Sequence, residues 1–540
     1  MPKDTETSYT HMFTSAGYQS LRTYLGNVAK GQPKVYDTPF AKGESTEELL
    51  SAWNDELVSI SDKWPSLYEF EIDLAKKVGP LSVQLPLKDR LADVEHYYED
   101  ILLPSTAIDE RAVKAVCREF SGLRGLRQRS YPNTVNNMKT STNSGAPYFT
   151  KRRQTIDKTL PITGFGASYQ YDERIWPVVV QHGKEWMLPA VIGWRGQEAG
   201  PSKSDVKQRV VWMFPFGINI VELSIYQPFI EAAQKLNLVP AWVSMESVDK
   251  RVTDLFDTKR SGDLVVCTDF SRFDQHFNAT LQNCAKTIMH YILDRGFSPW
   301  LGDVFDMKYY IPLVLNSDRK GTITSYVGPH GMASGSGGTN VDETLTHRAL
   351  QYEAAILAKS RLNPNSQCLG DDGILTYPGI TVEDVVKAYE RHGQECNPDK
   401  QYASTQDCVY LRRWHHTDYR DGGICVGVYS TMRALGRLRY LERFMDPKYW
   451  GPKMVALRQL SILENVKYHP LKEQFVQFCM KRDKYRLGID IPGFLDNVNV
   501  LAKESIEHMP DFLGYTKTLQ SQGKPLGLSD WWIVKYLKSM

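Results

Sequence analysis

Four aspartates in two short segments of the chain are of a type and spacing that could hold divalent cations. Asp371 and Asp372 are adjacent, follow a glycine and lie between apolar residues in the segment CLGDDGIL. Adjacent carboxylates repel each other, and an apolar setting disfavours both unless a cation or a hydrogen-bond donor compensates their charge. Aspartate and glycine are also ordinary turn residues, so this segment alone is weak evidence for a metal site.

A second pair of carboxylates strengthens the case. Asp269 and Asp274 stand five residues apart in DFSRFD, although Asp269 alone could simply cap a helix. If the two segments lie side by side in one sheet, their carboxylates form the oxygen cage that Mg²⁺ prefers, completed by phosphate oxygens of a substrate. Two ions about 4 Å apart activate an attacking hydroxyl and stabilise a leaving pyrophosphate, as in polymerases and nucleases. We therefore expect two Mg²⁺ or Mn²⁺ ions as cofactors.

The pattern around these aspartates predicts the elements that position them. DLVVCTDF (263–270) predicts a strand that delivers Asp269 at its end, and residues 368–376 predict a hairpin whose turn is Gly-Asp-Asp-Gly. Between them, a glycine-dense segment at 330–350 leads into a helical pattern, and its small residues allow a close approach of backbone or ligand. Helical patterns lie at 221–237, 278–294, 339–360 and 381–393, and in most of the chain from 431 onward.

The bulk composition indicates a large globular chain of several subdomains. Its 540 residues exceed the usual size of one hydrophobic core, and 42% of them are hydrophobic and 24% charged. Residues 1–40 are polar and predict an arm or loop rather than a core element, and we expect neither a signal peptide nor a membrane span. The eight cysteines show no CxxC pair or Cys/His ligand spacing, which favours reduced thiols in an intracellular protein and argues against structural zinc.

The net charge of +2 hides an uneven distribution of charge along the chain. Residues 36–110 hold six Lys and Arg residues against seventeen Asp and Glu residues, whereas residues 431–460 hold seven against two. Such a division suggests a path for a polyanion that selected basic elements line. The alternative is that these runs are the solvated faces of helices.

The order of the motifs resembles that of the viral RNA-dependent RNA polymerases. DFSRFD (269–274), SGSGGT (334–339) and GDD (370–372) resemble motifs A, B and C of that family. Four outlying segments agree with the family order, namely NSGAPY (143–148, motif G), KSDVKQRVVW (203–212, motif F), NPDKQ (397–401, motif D) and VYLRRW (409–414, motif E). The resemblance spans residues 143–414 and is closest to the replicases of small double-stranded RNA viruses, most specifically picobirnaviruses.

This resemblance implies an α+β fold in the form of a right-hand polymerase, with an antiparallel palm sheet and many helices. It places an N-terminal arm bridging fingers and thumb at 1–60, the fingers at 61–220 with an insertion at 278–328, the palm at 221–277 and 329–430, and the thumb with a C-terminal tail at 431–540. The implied reaction is template-directed RNA synthesis from nucleoside triphosphates by two-metal-ion nucleotidyl transfer, for viral genome replication and transcription.

The resemblance also implies roles for single residues. Asp269 and Asp371 are metal ligands that carry the chemistry, Asp372 supports the metal site, and Lys400 protonates the leaving pyrophosphate unless it is only a surface lysine. Nucleotide contacts are implied for Lys203, Lys207, Arg209, Asp274, Ser334, Gly335, Thr339 and Asn340; among these, Ser334 would position Asp274 and Gly335 would give its loop mobility. Contacts to RNA are implied for Asn143, Ser144, Gly145, Pro147, Arg412, Arg413, Arg433 and Arg437, although either Arg412 or Arg413 is alternatively a structural ion-pair partner.

The chain departs from the family pattern at one sugar-sensing position. Many members carry an asparagine four residues after the motif B threonine, where this chain has Glu343, so the third sugar contact stays open between Asn340, Asp342 and Glu343. Asp274 favours ribonucleotides because a reverse transcriptase carries an aromatic gate near this position, but Phe273 beside it keeps that alternative. A non-catalytic RNA-binding or capsid-internal protein is a third alternative, against which the intact carboxylates argue.

The expected partners are an RNA template, a product duplex and nucleoside triphosphates, with a capsid protein as a further candidate and no membrane. We expect a monomer in the virion interior and the host cytoplasm. The sequence leaves open whether initiation needs a primer. The segment DWWIVKYLKSM (530–540) could stack on a base or pack into the core, and Ser529 or Asp530 could cap a short helix there.

Overall fold

A computed structural model describes residues 2–168, 176–506, 508 and 527–540. Parts of the predicted fingers (169–175) and thumb (507 and 509–526) lie outside the described residues. Across the described ranges, no helix has both the length and the apolar character needed to cross a membrane.

Helices and short strands alternate along the chain. The strands are β1 Lys3–Ser8, β2 Ile162–Ser168, β3 Trp176–Gln181, β4 Lys184–Met187, β5 Ala190–Gln197, β6 Lys207–Met213, β7 Val265–Thr268, β8 Leu313–Ser317, β9 Thr322–Val327, β10 Gln367–Leu369, β11 Asp372–Leu375, β12 Tyr402–Ser404, β13 Asp407–Tyr410, β14 Arg413–His416 and β15 Val428–Tyr429. The helices are α1 Ser15–Lys30, α2 Thr46–Leu57, α3 Pro65–Ala75, α4 Leu91–Glu99, α5 Glu110–Glu119, α6 Tyr131–Asn136, α7 Ile156–Thr159, α8 Phe216–Lys235, α9 Pro240–Val243, α10 Met245–Thr258, α11 Ala279–Ile292, α12 Pro299–Asp303, α13 Thr339–Leu357, α14 Val382–Glu390, α15 Thr431–Arg439, α16 Pro452–Glu464, α17 Lys472–Met480, α18 Val498–Ser505 and α19 Trp532–Lys538.

The sheet expected for the palm has the order β10-β11-β7-β12, and all its strand pairs are antiparallel. Every residue of β7 is buried, because helices such as α10, α11 and α13 pack around this sheet in one hydrophobic cluster. Thr268 of β7 pairs with Gly373 of β11, so the end of β7 lies beside the turn between β10 and β11. The α+β fold class and both aspartate-bearing strands are confirmed.

A second sheet of order β1-β9-β8-β5-β6 joins segments from distant parts of the chain. Its strands pair in antiparallel fashion except for β5 and β8, which are parallel. The helix α1 packs in the same hydrophobic cluster as these strands. The free edge of β6, the last strand of this sheet, lies beside the loop that precedes α13, because the Trp212 N–H donates to Ser334 in that loop.

The expectation that residues 1–40 form no core element is wrong, because β1 and α1 occupy much of that segment and α1 is part of a hydrophobic cluster. The helix buries a stripe of Tyr18, Leu21, Leu25 and Val28, while its other positions are mostly polar. The Thr14 hydroxyl caps the helix by accepting a hydrogen bond from the Gly17 N–H. The amphipathic helix α1 was therefore not predicted, because residues 1–40 are polar overall.

The helices α2 and α3 share a hydrophobic cluster with the C-terminal helices α15, α16 and α17. The Trp53 indole N–H donates to the Thr431 hydroxyl at 2.8 Å, and buried Glu71 accepts from the Thr431 N–H at 3.1 Å. The domain boundaries stay a prediction. However, α3, predicted as fingers, packs with the predicted thumb helices, and α11, predicted within the fingers insertion, packs in the palm cluster.

The C-terminal helix α19 is capped by a residue from another helix. The carboxylate of Glu464 accepts hydrogen bonds from the N–H groups of Trp532 and Ile533 at 3.1 and 3.0 Å. The expectation that Ser529 or Asp530 caps this helix is therefore wrong. Its apolar face is buried, and Trp531 and Trp532 are half-buried against the same cluster.

Candidate active site

Asp269 and Asp371 converge at one end of the palm sheet. Asp269 follows β7 directly, and Asp371 is the second residue of the two-residue turn between β10 and β11, in which Leu369 pairs with Asp372. Gly370, the first turn residue, has φ +57°, a conformation that favours glycine. Burial raises the pKa of Asp371, and the nearby charges of Asp274 and Asp269 raise it further. The turn thus brings together carboxylates whose negative charges are not fully balanced by nearby cationic side chains.

Asp372 faces a different neighbour. Its Oδ2 accepts a hydrogen bond from the Leu411 N–H at 2.8 Å, in the turn between β13 and β14. Burial, followed by the charge of Asp371, raises the pKa of Asp372 to about 7. The side chain therefore fixes the motif E turn to the palm sheet, whereas Asp371 lies close enough to Asp274 and Asp269 for their charges to raise its pKa.

The backbone of Asp269 is held by Gln401. The Asp269 N–H donates to Gln401 Oε1 at 2.7 Å, and Gln401 Nε2 donates to the Asp269 carbonyl at 2.8 Å. Burial raises the pKa of Asp269, while the charges of Lys77 and Lys400 oppose that rise. Lys400 is exposed and close enough to act on this carboxylate.

Asp274 lies between the carboxylates and the basic strand β6. Arg209 Nη2 is 3.5 Å from Asp274 Oδ2. Alternation along β6 leaves Lys207 and Arg209 exposed on one face, and Lys203 is exposed in the turn before the strand. Beneath them lies Tyr97, whose pKa is raised first by burial and then by the charge of Asp274. Arg209 thus lies beside the acidic site, Lys207 shares its exposed face of β6, and Lys203 is exposed just before the strand.

The loop before α13 packs against β6. The Ser334 hydroxyl accepts a hydrogen bond from the Trp212 N–H at 3.3 Å. A Cβ on Gly335 would lie 1.7 Å from the Trp212 carbonyl oxygen, so only glycine allows this approach. The Asp274 carbonyl accepts from the Met332 N–H at 2.9 Å. Ser334 is thus bonded to β6 and Met332 to the backbone of Asp274, and the positioning of Asp274 by Ser334 stays a prediction.

Asp342, one candidate for the third sugar contact, is fully buried away from the site. It accepts hydrogen bonds from Tyr226 and Tyr309 at 2.8 and 2.7 Å, and Lys308 Nζ lies 3.0 Å from its Oδ2. These partners satisfy the carboxylate inside the palm core, which excludes it from nucleotide contact.

The other two candidates differ in their surroundings. Asn340 Oδ1 accepts from the Trp242 indole N–H at 2.7 Å, and the Thr339 hydroxyl donates to a carbonyl of its own loop. Glu343 is buried, and its Oε1 has no hydrogen-bond partner among the described residues. Burial and then the charge of Asp274 raise its pKa well above the usual range. Of the three, only Glu343 adjoins Asp274.

Four of the residues predicted to contact RNA lie in a loop that is bonded to α8 and to the residue that caps α1, namely Asn143, Ser144, Gly145 and Pro147. Asn143 Oδ1 accepts from the Gly145 N–H at 2.7 Å, and the Ser144 carbonyl accepts from the Phe216 N–H at 2.8 Å. Gly145 has φ +62°, and the Pro147 carbonyl accepts from the N–H of the residue that caps α1. Ser144 is buried, so the contacts found for this loop shape its backbone.

Arg413 is engaged in a buried ion pair. Its Nη1 and Nη2 donate to the two carboxylate oxygens of Asp249 at 2.8 and 3.0 Å. Of the two adjacent arginines, Arg413 is therefore the one with a buried ion-pair partner, and its contact with RNA stays a prediction.

The remaining predicted RNA-contacting arginines surround one carboxylate. Arg412, Arg433 and Arg437 all lie within 3.4 Å of Glu198, which follows β5. Although burial alone would raise the pKa of Glu198, the charges of Arg433, Arg437 and Arg412 hold it below its usual range. This group joins the fingers sheet, the motif E turn and α15.

The acidic residues fit divalent ions that a substrate would help to coordinate. In the part of the chain that the structure describes, no three His, Cys, Asp or Glu side chains are grouped so as to hold a metal by themselves. Mg²⁺ commonly takes one or two protein carboxylates and completes its shell with water and substrate phosphates. Asp269 and Asp371 match that requirement, and a cation would relieve the repulsion that raises the pKa of Asp371.

Sequence reasoning missed four residues at this site. Gln401 stands at the end of the NPDKQ segment, which alone offered a signal, whereas Tyr97, Lys77 and Glu198 lie in segments without a motif. Each reaches the site through contacts between residues far apart in the chain, such as the 235 positions that separate Glu198 from Arg433.

Comparisons with known proteins agree with this geometry. Residues 82–464 match the family model described as viral RNA-dependent RNA polymerase. A potential RNA-dependent RNA polymerase of human picobirnavirus (strain Human/Thailand/Hy005102) is 58% identical over 525 residues, covering 96% of both chains. The crystal structure of the RNA-dependent RNA polymerase of a human picobirnavirus is 56% identical with a TM-score of 0.92, and its insertion-loop deletion mutant is 55% identical with a TM-score of 0.89; both cover 98% of each chain. The chain therefore belongs to the viral RNA-dependent RNA polymerases, as the order of its motifs predicts, and it is an enzyme of that class.

Proposed function

We propose that this polymerase copies an RNA template by two-metal-ion nucleotidyl transfer and that it serves both replication and transcription of a viral genome. The observation that supports this most directly is the convergence of Asp269 and Asp371 beside Asp274 and Arg209. Asp269 and Asp371 would hold two Mg²⁺ or Mn²⁺ ions, which when bound supply activation of the attacking hydroxyl and neutralise the leaving pyrophosphate.

The incoming nucleotide separates the Arg209–Asp274 pair and takes both partners. At 3.5 Å and with Arg209 half-exposed, this pair is weak enough to be exchanged. The guanidinium then binds phosphate oxygens in a planar, bidentate manner, and Lys203 and Lys207 add point charges along the same approach. The Asp274 carboxylate accepts a hydrogen bond from a ribose hydroxyl, which selects a ribonucleotide.

Lys400 gives the leaving group its proton. Its position near Asp269 places an exposed ammonium group at the edge of the acidic site. From Lys400 Nζ the proton passes to the pyrophosphate as the bond to the transferred phosphorus breaks.

Product RNA leaves along the arginines of the motif E turn and α15. Arg412, Arg433 and Arg437 bind its phosphates without reading the sequence, so this binding weakens as salt rises. In the virus we place the enzyme as a monomer in the virion interior and the host cytoplasm, with capsid protein as a further partner.

A polymerisation assay on single-stranded and double-stranded RNA, with and without a primer, tests this function. We expect RNA product that requires ribonucleoside triphosphates and Mg²⁺ or Mn²⁺ and that disappears with a chelator. Synthesis that survives chelation would refute the two-metal reaction, and exclusive use of deoxynucleotides would support the reverse transcriptase instead.

A further inference from the structure

The carboxylate of Glu198 is almost enclosed by arginines. Arg433 Nε donates to both carboxylate oxygens at 2.9 and 3.0 Å, Arg437 approaches Oε1 through Nε and Nη2 at 3.0 and 2.8 Å, and Arg412 Nη1 approaches Oε2 at 3.4 Å. The Glu198 side chain is only 13% exposed, whereas that of Arg412 is 56% exposed and that of Arg437 30%. Arg433, at 17%, is nearly as enclosed as the acid, so Glu198 and Arg433 lie beneath while Arg437 and Arg412 extend towards solvent.

The base under Glu198 is rigid. A Cβ on Gly196 would lie 1.9 Å from the Leu81 carbonyl oxygen, and one on Gly79 would lie 2.1 Å from the Gly200 carbonyl oxygen. The backbone on both sides of Glu198 is thus packed directly against the segment before α4. A carboxylate on such a base can set the position of longer, more flexible side chains around it.

The three arginines come from two separate elements. Arg433 and Arg437 are one turn apart on α15, so they share a face of that helix. Arg412 lies in the β13–β14 turn with φ +57°, and the preceding residue, Leu411, is bonded to Asp372. Glu198 therefore aligns thumb arginines with an arginine whose turn is fixed to the catalytic hairpin.

Glu198 occupies only part of the donor capacity of these groups. A guanidinium carries five N–H donors. Glu198 contacts Nε of Arg433, Nε and Nη2 of Arg437, and Nη1 of Arg412. The remaining N–H groups of Arg412 and Arg437 belong to partly exposed side chains, whereas the Arg433 side chain is 17% exposed and its guanidinium lies 5.2 Å from the centre of the Tyr429 ring. Three guanidinium groups and one carboxylate leave a net charge of +2, so the group still attracts phosphate.

We propose that Glu198 is a positioning residue that holds Arg412, Arg433 and Arg437 as one row for consecutive phosphates of the RNA duplex. This inference rests on the proposed function, since it assumes that the three arginines contact RNA. The opposite role is that of a competitor, in which Glu198 merely neutralises arginines that RNA would otherwise bind more tightly.

Glu198→Gln separates the two roles because they predict opposite signs. The substitution keeps the size of the side chain and makes the protein more positive. A competitor's removal tightens duplex binding, whereas loss of a positioning residue weakens it, and we expect the Kd for an RNA hairpin duplex to rise roughly tenfold. We also expect kcat at saturating RNA to stay within twofold and the slope of log Kd against log salt to fall by about one phosphate contact.

Glu442→Gln is the matched control. Glu442 pairs with Arg195 of β5 at 2.8 Å, so this change removes the same charge from another ion pair between the same two regions. We expect its duplex Kd to be unchanged or slightly lower. A Kd that rises equally in both variants would show a general loosening of fingers and thumb and would overturn the proposal.

Two further outcomes decide the matter. Equal or tighter duplex binding by Glu198→Gln overturns the proposal, as does a fall in kcat as large as the rise in Kd.

Should Glu198→Gln not fold, Glu198→Asp, which keeps the charge on a shorter side chain, decides instead: a Kd raised a few-fold supports positioning and an unchanged Kd refutes it. If the unaltered chain binds no RNA duplex, the proposed function fails and not the role of Glu198 alone.

Discussion

Two regions on either side of the β13–β14 turn carry opposite imbalances of charge. At the end of the palm sheet, Asp274 and Asp371 share the guanidinium of Arg209, and Asp269 has the charges of the exposed Lys77 and Lys400 nearby. On the other side, Glu198 is a single carboxylate among three arginines. Burial and acidic neighbours raise the pKa of Asp371, whereas the arginines lower that of Glu198 despite its burial.

This difference in charge indicates which ligand each region can bind. A folded chain tolerates a local excess of one charge where solvent or a ligand supplies the other. An excess of carboxylates therefore indicates cations, and an excess of guanidinium groups indicates phosphates. The turn that separates the regions is bonded to Asp372 at Leu411 and carries Arg412, so the two sites are mechanically linked.

The largest effect is expected from removing a charge on the acidic side. Asp371→Asn keeps the shape of the turn residue but loses a charged oxygen that a divalent cation would bind. We expect nucleotide incorporation to fall by about 10³-fold or more, while the Kd for an RNA duplex changes less than twofold. Single-turnover incorporation and a binding titration on the same RNA measure the two quantities.

Asp372→Asn is the control for that experiment, because it changes the adjacent residue in the same way. An amide oxygen can still accept the hydrogen bond from the Leu411 N–H, so we expect a loss of about tenfold. Equal losses in the two variants would contradict the separate roles of the adjacent aspartates.

An ion pair with one charge of each sign should respond to substitution mainly through stability, unlike either of the two regions. Asp249 and Arg413 pair one to one in a buried setting, so Arg413→Gln leaves an uncompensated carboxylate and lowers the free energy of unfolding by about 3 kcal/mol. Arg412→Gln, at an exposed position, should cost less than about 0.5 kcal/mol and weaken RNA binding instead. Chemical denaturation and RNA titration of both variants check this; a stability loss in the Arg412 variant as large as in the Arg413 variant would contradict it.

The contrast between Arg412 and Arg413 shows how much of the fold and of the site can be predicted from the sequence. The strand that ends at Asp269, the hairpin around Asp371 and the helix α13 were predictable because their apolar patterns are local and strong. Which of Arg412 and Arg413 is buried was not, because the answer depends on Asp249, a residue 164 positions away. Glu198 was missed for the same reason, and α1 because only four apolar side chains form its buried stripe.

A smaller effect comes from pH acting on the balanced pair. His415 is buried near Asp249, and burial lowers its pKa from 6.5 to about 4 although the charge of Asp249 opposes the shift. The folded chain thus holds His415 neutral, so its contribution to stability is complete above pH 6.5 and is lost as pH falls from 6.5 towards 4. Between pH 7 and 5.5 we expect this group to lower the free energy of unfolding by about 1 kcal/mol.

Denaturation curves at several pH values test that expectation, with His415→Asn as the control. His415 Nδ1 faces the Cys425 carbonyl at 2.9 Å, and an asparagine amide can donate there without titrating. The variant should show a shallower loss of stability between pH 7 and 5.5. An unchanged slope would mean that another group takes up the proton.

The smallest effect is expected from substituting Glu343, and it tests how many negative charges the acidic site carries. Burial and then Asp274 raise the pKa of this carboxyl well above its usual range, because both disfavour its charged form. We predict that the carboxyl is protonated in the folded enzyme. Glu343→Gln then replaces one neutral group by another of the same size, and we expect the KM for ribonucleotides and the rejection of deoxynucleotides to change by no more than about threefold. Glu343→Ala removes the polar group beside Asp274 and should weaken that rejection more than the glutamine variant does. A tenfold or larger change in KM for Glu343→Gln would instead mean that the carboxylate is ionised in the folded enzyme. The acidic site would then carry one more negative charge for bound cations to neutralise.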